Sequence, residues 1–159
     1  MKKSPFVQFP IHCADACFWY RAWPSQSFSS TDWNTLGQFQ RTYRWKVNLA
    51  SVLEQPYEAL VLTDQYQVIQ WVNEGFTSMT GYPASAVIHQ RPAMFQGEST
   101  SNDTRARIRA KLKATEPFQE VIVNYRRNGE SYLCQLNVFP MKDSSGALQH
   151  FLALEKEVT

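Results

Sequence analysis

The chain predicts an α+β fold: a five-stranded antiparallel sheet with helices on one face, preceded by an N-terminal helical extension. Three observations carry this. Residues 118–127, 130–141 and 147–158 alternate as strands do, and turn signals at Asn128-Gly129 and Asp143-Ser144-Ser145-Gly146 join them in sequence. Residues 57–73, "YEALVLTDQYQVIQWVN", hold two shorter strands around Asp64–Gln67. Helical patterns lie between these two sets and again before them. The order β-β-α-α-α-β-β-β places the helices on one face of an antiparallel sheet.

Taken in order, residues 1–31 are rich in Pro, Ser and aromatics and read as irregular. From Asp32 the pattern changes. Leu36, Phe39, Tyr43, Val47 and Ala50 recur at helical spacing, and Leu49, Val52 and Leu53 widen the stripe. One amphipathic helix over about 32–54 is expected, with Asp32 as its N-cap and Pro56 as its stop. Short helical pieces should fill 74–96. A helix over 101–114 should bury Ile108 and Leu112 and leave its basic residues in solvent. Asn128-Gly129 signals a type I′ hairpin turn. The chain divides into an extension, residues 1–55, and a domain, residues 56–159.

Composition narrows the function. The 159 residues are 43% hydrophobic and 14% aromatic, enough for a substantial core. A net charge of +2 argues against nucleic acid or an anionic membrane as the main partner. Cys13, Cys17 and Cys134 make no disulfide framework, so a reducing, cytoplasmic setting is the simpler expectation. The opening "MKKSPFVQFPIHCADACFWY" is basic like a signal peptide, but Pro, Gln, His and Asp interrupt its apolar segment. No window approaches the roughly 20 apolar residues of a membrane span. His12, Cys13 and Cys17 lack the fourth ligand and the spacing of a zinc site. No nucleophile–base pair is apparent, so no enzymatic activity is expected.

Strand parity locates a candidate site. Alternation groups Phe118, Ile122 and Asn124 on one face of the third strand. It groups Tyr132, Cys134, Leu136 and Val138 on the fourth, and Phe151, Ala153 and Glu155 on the fifth. An amide and a carboxylate on apolar faces need partners, since an unpaired buried polar group costs about 1–3 kcal/mol. They mark either a polar ligand or an internal hydrogen-bonded pair. The opposite face is also apolar: Val121, Val123, Tyr125, Leu133, Phe139, Leu148, Leu152 and Leu154. A sheet apolar on both sides needs two covers. The helix of the extension, from this chain or from a second copy, is the expected outer one.

This order, with "TDQYQVIQWVNEGFTSMTGY", "FQG", "NYRRNGESY" and "FPMKDSSGALQHF", resembles the PAS fold over about residues 57–159. Within it the sequence is most similar to the LOV subgroup of flavin-binding blue-light sensors. The family reads Gly-Arg-Asn-Cys-Arg-Phe-Leu-Gln-Gly where this chain reads "HQRPAMFQG", His89–Gly97. The resemblance therefore puts Pro92 in place of the cysteine that forms the flavin adduct. It puts Arg91 in place of a ring-contacting asparagine and Ala93 in place of a phosphate-holding arginine. It retains Gln96, matches Arg109 to a second phosphate arginine, and matches Asn124 to a ring-binding asparagine. Cys134 stands for another ring-binding asparagine, and Glu155 for the glutamine at the flavin N5 edge.

What the resemblance implies is a stand-alone sensory and signalling PAS protein with a degenerate flavin site and no cysteine-adduct photochemistry. It would act through ligand binding, dimerisation or contact with a signalling partner. The cofactor stays open. The pocket could be empty, with Glu155 paired to Arg91 across it; FMN or FAD held non-covalently is the second choice. Haem, through His89 or His150, is disfavoured because a single histidine is more often structural. A purely structural dimerisation module remains a third reading. A homodimer through the extension helix and the outer sheet face is expected.

Overall fold

The computed structural model describes residues 29–159. Helices α1 (Ser30–Tyr43) and α2 (Leu49–Leu53) come first, followed by strands β1 (Ala59–Asp64) and β2 (Ile69–Val72). Helices α3 (Glu74–Thr80) and α4 (Ala84–Val87), a 3₁₀ turn (Pro92–Phe95) and helix α5 (Asn102–Ala114) cross to β3 (Phe118–Tyr125), β4 (Ser131–Lys142) and β5 (Leu148–Val158). The five strands form one antiparallel sheet in the order β2-β1-β5-β4-β3. This is the predicted α+β architecture, with every strand where alternation placed it.

All three hairpins use one device, which differs from the expected type I′ turn. In each, the N–H of the fourth residue donates to the first carbonyl: Gln67 to Asp64, Gly129 to Arg126, and Gly146 to Asp143. That fourth residue is left-handed, with φ of 65°, 87° and 84°. This is the three-residue loop closed by a left-handed bulge residue, in which only one position needs positive φ. Gly129 and Gly146 supply it without strain. At the first hairpin the Asp64 carboxylate holds the loop instead, accepting from Tyr66 N–H and Val68 N–H at 2.8 and 2.9 Å.

The core is split by the sheet. On the inner face Ala59, Val61, Ile69, Phe76, Phe95, Ile122 and Cys134 pack under α3, α4 and the 3₁₀ turn. On the outer face Leu60, Leu62, Met141, Leu152 and Leu154 pack against Leu36, Trp45, Leu49, Val52 and Leu53 of the extension. The extension therefore covers its own sheet. Its cover is partial. Val121 and Leu133 remain 41% and 42% exposed on the same face, toward the β3 edge.

The single helix expected over 32–54 is broken at Arg44, which ends α1 in a left-handed conformation with φ 53°. Tertiary contacts account for the break. Trp45 turns onto the sheet and its indole Nε1–H donates to His150 Nδ1 at 3.2 Å, while Lys46 N–H bonds the Lys142 carbonyl at 2.8 Å. Phe39, Tyr43 and Trp45 surround the His150 ring at centroid distances of 5.7, 4.4 and 5.3 Å. A continuous helix could not bring these groups to the sheet. The Gln40 side chain bridges the break, donating to the Val47 carbonyl at 2.8 Å, and Asn48 caps α2 by accepting from Ser51 N–H.

Asp32 is not the cap of α1; Ser29 is, accepting from Asp32 N–H. The Asp32 carboxylate instead turns inward and accepts from Asn73 Nδ2 at 3.0 Å. Asn73 Oδ1 accepts from Leu60 N–H at 2.9 Å and from Phe76 N–H at 3.0 Å. One amide thus ties the extension, β1 and the start of α3 together. Close approach makes a glycine necessary here: a Cβ on Gly75 would lie 1.9 Å from the Glu58 carbonyl oxygen.

Two outcomes are expected. Deleting residues 1–54 uncovers Leu60, Leu62, Leu152 and Leu154, so the truncated chain should aggregate or change its size by light scattering. A soluble truncated protein with an unchanged melting temperature would mean that the extension is not a cover. Burial depresses the His150 pKa below its ordinary 6.5, with Asp64 opposing. Its contribution is therefore complete above about pH 6.5 and lost as pH falls through the folded value. Melting temperatures taken from pH 8 to pH 5 should fall below that point, and His150→Asn should flatten this part of the curve.

Candidate functional site

Between the inner face of the sheet and α5 lies a cavity of about 220 Å³. Its apolar wall comes from Val61, Phe95, Ile108, Leu112, Phe118, Ile122, Leu136, Val138, Phe151 and Ala153. Six of these are side chains that strand parity assigned to one face and two are the apolar positions of α5; Val61 and Phe95 are additions from the structure. Gln96, Arg91, Arg109, Asn124, Phe151 and Glu155 all line it, so six of the seven residues singled out from the sequence meet in one place. Cys134 is fully buried but lies behind the wall, its thiol 3.8 Å from Glu155 Oε2.

Local structure sets each polar group. Asn124 sits on β3 opposite Tyr132, and Glu155 on β5 opposite Leu136. Gln96 ends the 3₁₀ turn that begins at Pro92, where proline's fixed φ suits a first helical position. The loop after Gln96 is held by the close approach of Tyr125, whose ring would lie 2.5 Å from a Cβ at Gly97. Thr100 Oγ1 accepts from Gly97 N–H and donates to the Val123 carbonyl, tying this loop to β3.

The expected ion pair between Glu155 and Arg91 is absent. The ion pairs among the described residues are Arg107 and Lys111 with Glu120, and Arg126 with Glu130 and Glu157. Arg91 is exposed while Glu155 is buried, and a carboxylate at that depth has no cation to hold its charge. Burial accordingly raises Glu155 to about 7, with the Cys134 thiol opposing through its hydrogen bond. Raised this far, Glu155 carries a proton at mildly acidic pH, where it is a neutral group that can donate. The Cys134 thiol is pushed far up by burial and by Glu155, so it is not a nucleophile. Tyr132 is raised by the same causes, with Asn124 and Arg126 opposing, and Arg126 stacks over its ring at 4.4 Å.

Two polar atoms in the described region are buried without a hydrogen-bond partner: Asn124 Oδ1 and Arg105 Nε. Both residues line the cavity. Arg105 was missed by the sequence reading, which treated the basic residues of α5 as a solvated face. The available signal was its i,i+4 spacing from Arg109, which puts both on the Ile108–Leu112 side.

Neither histidine considered as a haem ligand lines the cavity. His150 is on the outer face, and its Nδ1 accepts the Trp45 hydrogen bond. Among the described residues no group of three His, Cys, Asp or Glu side chains could hold a metal. His12, Cys13 and Cys17 lie outside the described residues. No helix in the described residues is long and apolar enough to cross a membrane.

The Glu155 carboxyl makes a pH prediction. Its folded pKa is raised, so its favourable share is complete below about 4.5 and lost as pH rises through about 7. The full lift corresponds to roughly 3 kcal/mol. Glu155→Gln should therefore raise the melting temperature at pH 8 and change it little at pH 4.5. Equal effects at both values would mean that Glu155 ionises normally.

The model of the family described as "PAS domain" matches residues 58–159. A nitrogen fixation regulatory protein of Klebsiella oxytoca is 27% identical over 109 residues, covering 69% of this chain and 22% of that protein. A blue-light-activated histidine kinase of Brucella ovis is 31% identical over 91 residues, covering 57% of this chain and 19% of that one. The chain thus spans about a fifth of the length of the curated relatives it matches. Among solved structures, the LOV domain of a blue-light activated histidine kinase from Erythrobacter litoralis superposes with a TM-score of 0.61 at 28% identity. That match covers 65% of this chain and 97% of that domain. The dark-state LOV domain of Aureochrome1 gives 0.67 at 21% identity over 72% of this chain and 85% of that one, a likeness of fold. Its family is thereby shown: the chain belongs to the PAS domain family, with relatives in a nitrogen fixation regulatory protein and in blue-light-activated histidine kinases.

Proposed function

We propose that this chain is a sensory PAS module that holds a small organic ligand in its inner cavity and passes that occupancy to a signalling partner or a second copy. It does so without catalysis and without a cysteine–flavin adduct. The observation that carries the reading is the unpartnered Asn124 Oδ1, buried at the wall of the inner cavity. An orphaned acceptor inside a fold costs about 1–3 kcal/mol, and a ligand N–H or O–H removes that cost. A purely structural module would retain the penalty with nothing in return. Val121 and Leu133, left exposed beside the extension, offer a contact surface for a homodimer or a partner.

The second reading is a flavoprotein that binds FMN or FAD non-covalently. Gln96, Arg109 and Asn124, which the resemblance matches to flavin contacts, line one cavity, and that favours it. Size weighs against it. The cavity of about 220 Å³ is below the roughly 300–1,000 Å³ common for drug-sized ligands, so a flavin must displace the arginines at its open side. The absorption spectrum of the purified protein separates the two, with mass spectrometry of the supernatant after denaturation. A released small molecule without flavin bands supports the first reading, flavin bands support the second, and release of nothing contradicts both.

The position of Pro92 makes a further expectation. It has no nucleophile, lies at the cavity wall, and the Cys134 thiol is held protonated behind that wall. Blue light on the flavin-loaded protein should therefore give no covalent mass increase and no reversible loss of the flavin band. A flavin-sized mass increase on any cysteine would refute this.

A further inference from the structure

The cavity wall carries an excess of positively charged side chains. Arg105 and Arg109 project from α5 and Arg91 precedes the 3₁₀ turn, and all three line it. None of them forms an ion pair, whereas Arg107, Lys111 and Arg126 all reach carboxylates within 3.3 Å. The contrast on α5 is sharp: Arg107 and Lys111 share Glu120, while Arg105 and Arg109, one turn apart, face the cavity unopposed. Two like charges at i,i+4 repel. The one acid in the wall, Glu155, has its pKa raised by burial, which favours its neutral form.

Arg105 is also held in place with an unused donor. Its Nη2 donates to the Gly97 carbonyl at 2.9 Å, which fixes the guanidinium against the loop that follows Gln96. Its Nε is buried with no partner. A planar guanidinium with a free N–H, fixed at a cavity and flanked by two more cations, matches an oxyanion such as phosphate or carboxylate. The family resemblance matches its phosphate arginines to Ala93 and Arg109; Arg105 is at neither position.

We propose that Arg105, supported by Arg109 and Arg91, is the anion-holding residue of this cavity, so that its ligand carries a phosphate or carboxylate group. This rests on the reading of the cavity as a ligand site and specifies the chemistry of the ligand. Arg105 then offsets the cation missing at Ala93. Asn124, which lines the same cavity, accepts an N–H or O–H of that ligand.

The test follows arginine Nε–Hε signals by NMR in the full-length chain, freed of any bound molecule, as inorganic phosphate or acetate is added. A saturable downfield shift of the Arg105 signal is expected, while Arg107 and Arg126 stay in place. Which anion saturates first separates phosphate from carboxylate. Arg105→Gln should weaken that binding at least about tenfold, and Arg107→Gln on the same helix should leave it unchanged. Should Arg105→Gln fail to fold, Arg105→Lys takes its place, and loss of the fork should weaken binding with the charge retained. FMN and riboflavin share a ring and differ by a phosphate. If flavins bind, FMN should bind at least about tenfold tighter in the native chain and equally with riboflavin in Arg105→Gln. Saturation at Arg105 with no flavin binding supports the anion site and rejects the flavoprotein. Absence of saturation by either anion, or an Arg105 variant that binds the anion as the native chain does, overturns the inference even if an uncharged ligand fills the cavity.

Discussion

A sheet that is apolar on both faces is the constraint from which the rest of this structure follows. Leu60 and Leu62 point outward from β1 while Ala59 and Val61 point inward, and both sets are buried. Each large apolar side chain moved out of water contributes about 1.5–3 kcal/mol, so neither face can be left bare. The crossover segment between β2 and β3 covers the inner face, and α1 with α2 covers much of the outer one. The extension is thus part of the domain's core, and its hydrogen-bonded anchors include Asp32 to Asn73, Trp45 to His150 and Lys46 to Lys142.

The two covers differ in how completely they fill the space beneath them. Over the outer face the aromatic rings of Phe39, Tyr43 and Trp45 pack around one imidazole. Over the inner face α5 stands off the sheet and leaves a cavity into which Asn124, Glu155 and three arginines face. A protein selected only for stability would close such a space with apolar side chains, since burying polar groups without partners is unfavourable. The proposed binding function accounts for an uncompensated amide oxygen and a buried guanidinium N–H at one cavity.

Much of this was legible in the chain, for a physical reason. Strand alternation has a period of two, so the inner set Ile122, Asn124, Cys134, Leu136, Ala153 and Glu155 could be assigned without coordinates. The left-handed positions at Gly129 and Gly146 were visible as turn signals, although the loop class was not, since that depends on the φ of Asn128. What escaped detection depended on tertiary contacts. The break at Arg44 arises because Trp45 is drawn to His150, a residue 105 positions away. The Glu155–Arg91 pair failed because parity fixes the face of a strand residue but not the depth of a loop residue. Arg105 was overlooked because a basic helix face is solvated by default, and only the cavity beneath α5 distinguishes it from Arg107.

Mass spectrometry under non-denaturing conditions tests the central claim most directly. The folded full-length chain, purified without added cofactor, is weighed against its sequence mass, and the same sample is then denatured. A cavity that exists to be filled predicts one additional small molecule per chain in the folded state, lost on denaturation and absent in Asn124→Ala. A folded chain that weighs only its sequence mass, and that melts at the same temperature whether native or Asn124→Ala, would contradict the ligand-holding account.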